Sequence, residues 1–206
     1  LFILGTLVIL ALLGWRLSRG PEPAQAGQIA FSATFDQIHQ DRPERSQLVV
    51  YSDGQGRVRT EEIGKDIFNL YDYNKRTTYQ ARKSAHVYVN TIAMHAPLPV
   101  EFGGYVLFDE HSIQRGQLTW YLGNQEKQGR QCHHYAGYVF FPDDRCEDWY
   151  APELGCCPEM ELTSPGFLGH VKTIMIDYKK GMPDPALFDL RNYREVPWEV
   201  FNVQPG

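Results

Sequence analysis

The sequence predicts a mainly β protein of the α+β kind, one strongly curved antiparallel sheet part-covered by a single small helix. Three observations lead there. From residue 28 onward, short runs of alternating apolar and polar residues follow one another, each closed by a turn signal. Five such runs precede residue 84, which is the pattern of an antiparallel meander. Aromatic residues make up 13% of the chain, and those on predicted strands are too bulky for one helix to cover. The sheet is therefore expected to curl round an apolar interior instead of lying flat.

The elements follow in chain order. QIAFSATFDQIHQ sets Ile29, Phe31, Ala33 and Phe35 against polar neighbours, the period of a half-buried strand, and Asp41-Arg42-Pro43 turns the chain. SQLVVYS is the next strand, Asp53-Gly54 is a hairpin signal, and GRVRTEEIG returns. DIFNLYDYN and RTTYQARK continue the meander across Asn74-Lys75. The rhythm is then lost, and a helix over Ala85–His95, stopped by Pro97 and Pro99, is expected to lie across the sheet. Strands resume with LTWYLG, a turn at Asn124, RQCHHYAGYVFF, a Pro-Asp-Asp turn and RCEDWYAP. HVKTIMIDYKKG is the last strand, and the Pro-rich close from Met182 is expected to run over the surface.

Length and charge bound what this sheet serves. At 206 residues and 43% hydrophobic composition, one β domain over residues 28–206 is the simplest division. A net charge of −5 speaks against a nucleic-acid binder or a lasting clamp on anionic headgroups. Residues 1–15, LFILGTLVILALLGW, are uninterrupted by charge and shorter than the roughly 20 residues of a spanning helix. The chain opens on Leu1 and not on Met, so this segment is expected to begin further upstream. Residues 16–27 form a Pro/Gly/Ala-rich linker in which Ala24-Gln25-Ala26 reads as a cleavage site, whereas Arg16 and Arg19 suit an uncleaved anchor. Both readings imply export, with membrane contact through this segment.

Cys132, Cys146, Cys156 and Cys157 are an even set behind an export segment, which predicts two disulfides with three pairings open. The adjacent Cys156 and Cys157 would pair with each other only under strain. A metal centre drawn from these cysteines with His133 and His134 is disfavoured, because neighbours on a strand face opposite ways and no C-x-x-C pair is present. Neither metal nor cofactor is expected. The sequence contains no G-x-S-x-G, H-E-x-x-H or phosphate-loop motif. Asp143, Asp144, Glu147 and Asp148 beside His133 and His134 read as a solvated hairpin tip, so no catalytic residue is assigned and the chain is expected not to be an enzyme.

The candidate wall of the apolar interior is Phe31, Phe35, Phe68, Leu70, Tyr79, Trp120, Tyr135 and Trp149. The alternative is that these side chains fill the centre of a packed barrel. The order of the short motifs adds a resemblance. Gly56-Arg57-Val58-Arg59 and Ile67–Asp72 are followed by Leu122-Gly123, Gln128-Gly129, Cys132–Tyr135, Asp148–Gly155 and Gly181–Phe188. This succession is similar to that of the LolA-like outer-membrane lipoprotein-sorting proteins, whose fold is shared by the RseB-like sensor domains. The resemblance covers roughly residues 28 to 195. It implies an unclosed half-barrel with a helical lid over a concavity that holds lipid or lipoprotein acyl chains, with an arginine, Arg57 or Arg59, holding the lid. The chain departs from the family in having GPEPAQAG where an amino-terminal helix is usual, and in its Cys156-Cys157 pair. The expected function is that of an exported, periplasmic, non-enzymatic binder of such chains. The alternative is a membrane-anchored envelope sensor or protein-interaction module on the same fold.

Overall fold

Alternation in AFSATFDQIH builds the first strand as expected: in β1 (Ala30–His39) Phe31, Ala33, Phe35 and Gln37 are buried and the residues between them are half-exposed. The computed structural model describes residues 27–40, 45–75, 77–92, 110, 113, 118–138, 144–164 and 169–202. After β1 come β2 (Arg45–Asp53), β3 (Arg57–Glu62), β4 (Ile67–Asp72), β5 (Thr77–Arg82) and β6 (Val87–Ile92). The second half supplies β7 (Leu118–Lys127), β8 (Arg130–Tyr138), β9 (Arg145–Ala151), β10 (Cys156–Ser164), β11 (Gly169–Lys180) and the two-residue β12 (Arg194–Glu195).

The twelve strands among the described residues join one sheet in the order β12-β6-β5-β4-β3-β2-β1-β11-β10-β9-β8-β7. Its pairings are antiparallel except β12 on β6, which is parallel. The meander β2 to β6 extends to one side of β1, and β11 back to β7 extends to the other. Because β7 and β12 end the sheet without pairing to each other, it is unclosed.

Turn chemistry sets the register. In the Asp-Gly hairpin between β2 and β3, Asp53 Oδ1 accepts from the backbone N–H of Gln55 (2.7 Å) and Arg57 (2.9 Å), and Asp53 Oδ2 accepts from Arg57 Nε at 2.6 Å. The β7–β8 turn lies at Gln128-Gly129 and not at Asn124. Both residues have positive φ, 51° and 70°, as a two-residue primed hairpin turn requires. Asn124 stays in the ladder opposite His133.

Other expectations are corrected. The stretch from Val87 to Ile92 is the strand β6 and not part of a helix. Its β-branched Val87, Val89 and Thr91 alternate, and Tyr88 pairs with Ala81 on β5. Residues 93–95 of that expected helix lie outside the described residues, and so do the turns at 41–43 and 142–143. Residues Glu110 and Ile113 are helical and buried. CCPEMELTS, read as no element, is β10; a bulge between Cys156 and Glu159 breaks its alternation. The Pro-rich close is more than a surface run. A 3-10 turn at Pro185–Phe188, capped by Asp184, and a helical turn at Trp198–Phe201 bury Phe188 and Phe201.

No disulfide forms: all four cysteines are free and buried. For Cys132, Cys146 and Cys156 the register explains this. Cys146 pairs with Gly137 and Leu162, five residues from Cys132 on β8 and six from Cys156 on β10, or roughly 15–20 Å along the strands. Cys132 and Cys156 stand two strand spacings apart with β9 between them, about 10 Å between Cα atoms and beyond the roughly 7 Å that a disulfide spans. No helix among the described residues is long and apolar enough to cross a membrane, and residues 1–26 lie outside them.

Candidate functional site

Directly paired residues in a sheet stand on the same face, so the register separates two faces. Phe31 opposes Ser52, Ala33 opposes Val50, and Phe35 opposes both Leu48 and Met175. Ser52 leads on to Val58 and Tyr71. Across β11, β10, β9 and β8 the same face carries Thr173, Met160, Asp148 and Tyr135. Phe31, Phe35, Leu48, Val50, Met160 and Tyr135 are each at most 2% exposed. This Phe31 face is a continuous apolar wall.

Glu110 and Ile113 cover one end of that wall. Glu110 Oε1 accepts from the Tyr135 hydroxyl at 2.8 Å and lies 2.5 Å from His133 Nδ1, while the Ile113 carbonyl accepts from Thr119 Oγ1 at 2.6 Å. Asp148, opposite Tyr135, is fully buried, and its side chain has a hydrogen bond with the Cys146 thiol two residues away on the same face of β9. Burial pushes this carboxyl up to about 7; the thiol of Cys146, a weak donor beside it, lowers it and the Glu147 charge raises it. Burial likewise raises the Cys132 thiol to about 11 and lifts the thiols of Cys146, Cys156 and Cys157 further. None of these thiols is poised as a nucleophile. Among the described residues no three His, Cys, Asp or Glu side chains converge as a metal site.

The opposite face carries Phe68, Leu70 and Tyr79, since Leu70 opposes Arg59 and Tyr79 and is offset by one residue from Tyr71. Phe188, Leu187, Leu190 and Tyr193 from the C-terminal segment pack on it. Arg59 sits in this contact. Its guanidinium lies 3.7 Å from the Phe68 ring centre, Nη1 donates to the Leu187 carbonyl at 2.9 Å, and Nη2 pairs with Glu61 at 2.5 Å. Arg57 binds Asp53 and lies 5.3 Å from the Phe188 ring centre. Both arginines therefore touch the C-terminal segment. Trp149 is also on this opposite face, stacked on His134 at 4.8 Å with Lys127 Nζ 3.8 Å above its ring. Trp120 is 47% exposed on β7 and packs edge-on against Tyr138.

Of the eight predicted wall residues, the register thus groups Phe31, Phe35 and Tyr135 on one face and Phe68, Leu70, Tyr79 and Trp149 on the other, with Trp120 at the exposed end. Sequence reasoning passed over Glu110, Met160 and Thr173, and it placed Asp148 at a solvated tip. The signal for Asp148 was parity: it shares its phase on β9 with Cys146 and Tyr150, both buried.

No protein-family profile matches the chain, and no curated protein matches it. Solved structures do. One of PNGF-II is similar at a TM-score of 0.53 and 10% identity, covering 84% of this chain and 32% of that one. An uncharacterized conserved protein from Thermus thermophilus follows at 0.52 and 10% identity, covering 82% of this chain and 90% of its own. A LolA superfamily protein from Nitrosomonas europaea is also similar, at 0.42 and 10% identity, with 79% and 90% covered. The present chain spans about a third of the PNGF-II chain. At such identities the likeness concerns the fold alone. The family that the sequence resembles recurs among these structures.

Proposed function

We propose that the chain is an exported, non-enzymatic binder or carrier of lipid or lipoprotein acyl chains, which lie against the Phe31 face of the unclosed sheet, curved into a half-barrel, beside Glu110 and Ile113. The observation that carries this reading is the apolar wall from Phe31 and Phe35 through Leu48 and Val50 to Met160 and Tyr135, on a sheet whose edges do not join. Each methylene transferred from water to such a wall gains about 0.8 kcal/mol, so a twelve-carbon chain gains roughly 9 kcal/mol before the cost of association. That binding needs no charge on the protein, which agrees with the acidic composition. Motifs for hydrolytic or nucleotide chemistry are lacking in the sequence, which supports a binding role.

The test is mass spectrometry of lipid carried by protein purified from its native host without detergent, together with titration of a fluorescent fatty acid. Co-purified acyl species and saturable binding are expected. A lipid-free preparation that ignores the probe would sink the reading.

The second reading is a membrane-anchored envelope sensor or protein-interaction module. It is favoured by the end of the sheet at β7, where Trp120, Leu122 and Tyr138 are 47%, 57% and 36% exposed. The amino terminus of the mature chain, determined by Edman degradation, separates the two. A start near Gly27 fits a released carrier, and a retained apolar segment fits the anchored module.

A further inference from the structure

We infer that the outer edge of β7 is a docking site for an extended segment of a partner protein, which joins the sheet as one more strand and carries alternating apolar residues with a basic residue at one end. This deepens the interaction-module reading, on which it rests, and is independent of what the Phe31 face holds.

The two ends of the sheet differ. At one end the chain itself covers β6: the Arg194 N–H donates to the His86 carbonyl at 2.8 Å and the Val196 N–H to the Tyr88 carbonyl at 2.9 Å. At the other end β7 runs for ten residues with β8 on one side and, among the described residues, no strand on the other. Such an edge offers backbone donors and acceptors to another chain, and proteins commonly guard it with lysine, proline or a bulge. β7 contains no proline, and its one lysine is turned inward over the sheet. Lys127 Nζ lies 3.8 Å above the Trp149 ring centre on β9 and 2.9 Å from Glu159 on β10. The bulge between Tyr121 and Gly123 bends the strand but leaves room, since a Cβ on Gly123 would meet nothing within 4 Å.

Side chains mark the same edge. Trp120 and Leu122 on β7 and Tyr138 on β8 are exposed, and the Trp120 and Tyr138 rings meet edge-on at 6.0 Å. Strand addition uses both features: main chain pairs along the edge, and alternate side chains of the incoming strand lie beside the apolar ones of β7.

Charge and area select the occupant. The protein has a net charge of −5, and Glu126 on β7 is exposed and, among the described residues, in no ion pair. A basic residue opposite Glu126 gains a cross-strand ion pair; the exposed Arg145 stands two strands further in, on β9. A second copy would bring one net charge of −5 against another. It would also meet the edge along a single strand, where a stable dimer buries about 800 Å² on each partner. An extended segment needs no such area, because main-chain hydrogen bonds hold it.

Selection of displayed random decapeptides on the intact protein, followed by synthesis and fluorescence-anisotropy titration of those enriched, tests this. Enriched peptides are expected to alternate apolar residues and to carry lysine or arginine at one end. N-methylation should weaken them about tenfold at every second residue, where the N–H faces β7, and leave the residues between unaffected. Trp120→Ser, Leu122→Ser and Glu126→Lys should each weaken binding about fivefold or more with the native circular dichroism retained, since all three side chains are exposed. Hydrogen exchange at residues 118–127 should slow on binding. Peptides that tolerate N-methylation at every position, bind the three variants as well as the native chain, or leave exchange at 118–127 unchanged overturn the docking edge and leave the interaction-module reading intact. No enriched peptide at all overturns the docking edge, and together with a mature chain beginning near Gly27 it overturns that reading too.

Discussion

Arg59 Nη1 donates a 2.9 Å hydrogen bond to the carbonyl oxygen of Leu187, 128 residues further along the chain. With the Phe68 ring beneath its guanidinium and Glu61 on its other nitrogen, the side chain ties β3 to the C-terminal segment. Arg59→Ala leaves Glu61 and the Leu187 carbonyl without this donor and is expected to cost about 3 kcal/mol in urea unfolding. Arg59→Lys should recover less than half, because a point ammonium cannot make both bonds and lie flat on the ring. Hydrogen exchange at residues 185–190 should quicken in both variants; unchanged exchange there would show that Arg59 does not hold the segment.

Asp148 makes stability depend on pH with an unusual sign. Its pKa is raised in the folded protein, so the unfolded chain ionises first as pH rises. Its contribution is full below about pH 4, declines as pH rises, and is lost through about pH 7, a total of up to roughly 4 kcal/mol. Asp148→Asn removes this dependence and is expected to raise the melting temperature at pH 8 more than at pH 4. Equal shifts at the two pH values would contradict a neutral, buried Asp148.

The free cysteines predict a two-stage thiol titration. All four are buried, and burial raises their pKa values. The native protein should therefore react slowly with a chromogenic disulfide reagent at pH 8. Four thiols should appear after unfolding in urea without reductant; a count of two or none would mean that disulfides had formed.

Gly56 and Gly64 separate backbone strain from crowding. Both have positive φ, but a Cβ on Gly56 would lie 2.7 Å from Asn74 Nδ2, which donates to the Gln55 carbonyl, while a Cβ on Gly64 meets nothing within 4 Å. Gly56→Ala is expected to cost about 2 kcal/mol and Gly64→Ala about 1 kcal/mol in thermal unfolding. Equal losses would mean that the Asn74 contact carries no energy.

Much of the sheet was legible before the structure. The strands β1 to β5 each declare themselves through alternation and turn residues, as in Phe31, Ala33 and Phe35 or in Asp53-Gly54, because six to ten neighbouring residues are enough to encode them. β10 was hidden because two residues at its bulge, Cys157 and Pro158, face one on β9 and shift the period. β6 was read as helix although its β-branched residues alternate, because it lies beside a stretch with no periodicity of its own.

The candidate site was legible only in part. Phe31 and Phe68 look alike as strand aromatics, yet they stand on opposite faces, and only the pairing of Ser52 with Val58 and of Val58 with Tyr71 carries the phase from one strand to the next. Slippage by one residue would exchange the faces.

By itself the sequence determined the β character, the turn at Asp53-Gly54 and the abundance of aromatic side chains on strands, all of which are short-range properties. The tertiary structure alone decided which aromatics share a wall, that the cysteines stay free, that Glu110 reaches Tyr135 and that Arg59 reaches Leu187. The reason is physical: those outcomes depend on register, bulges and contacts between residues far apart in the chain, and no local period records them.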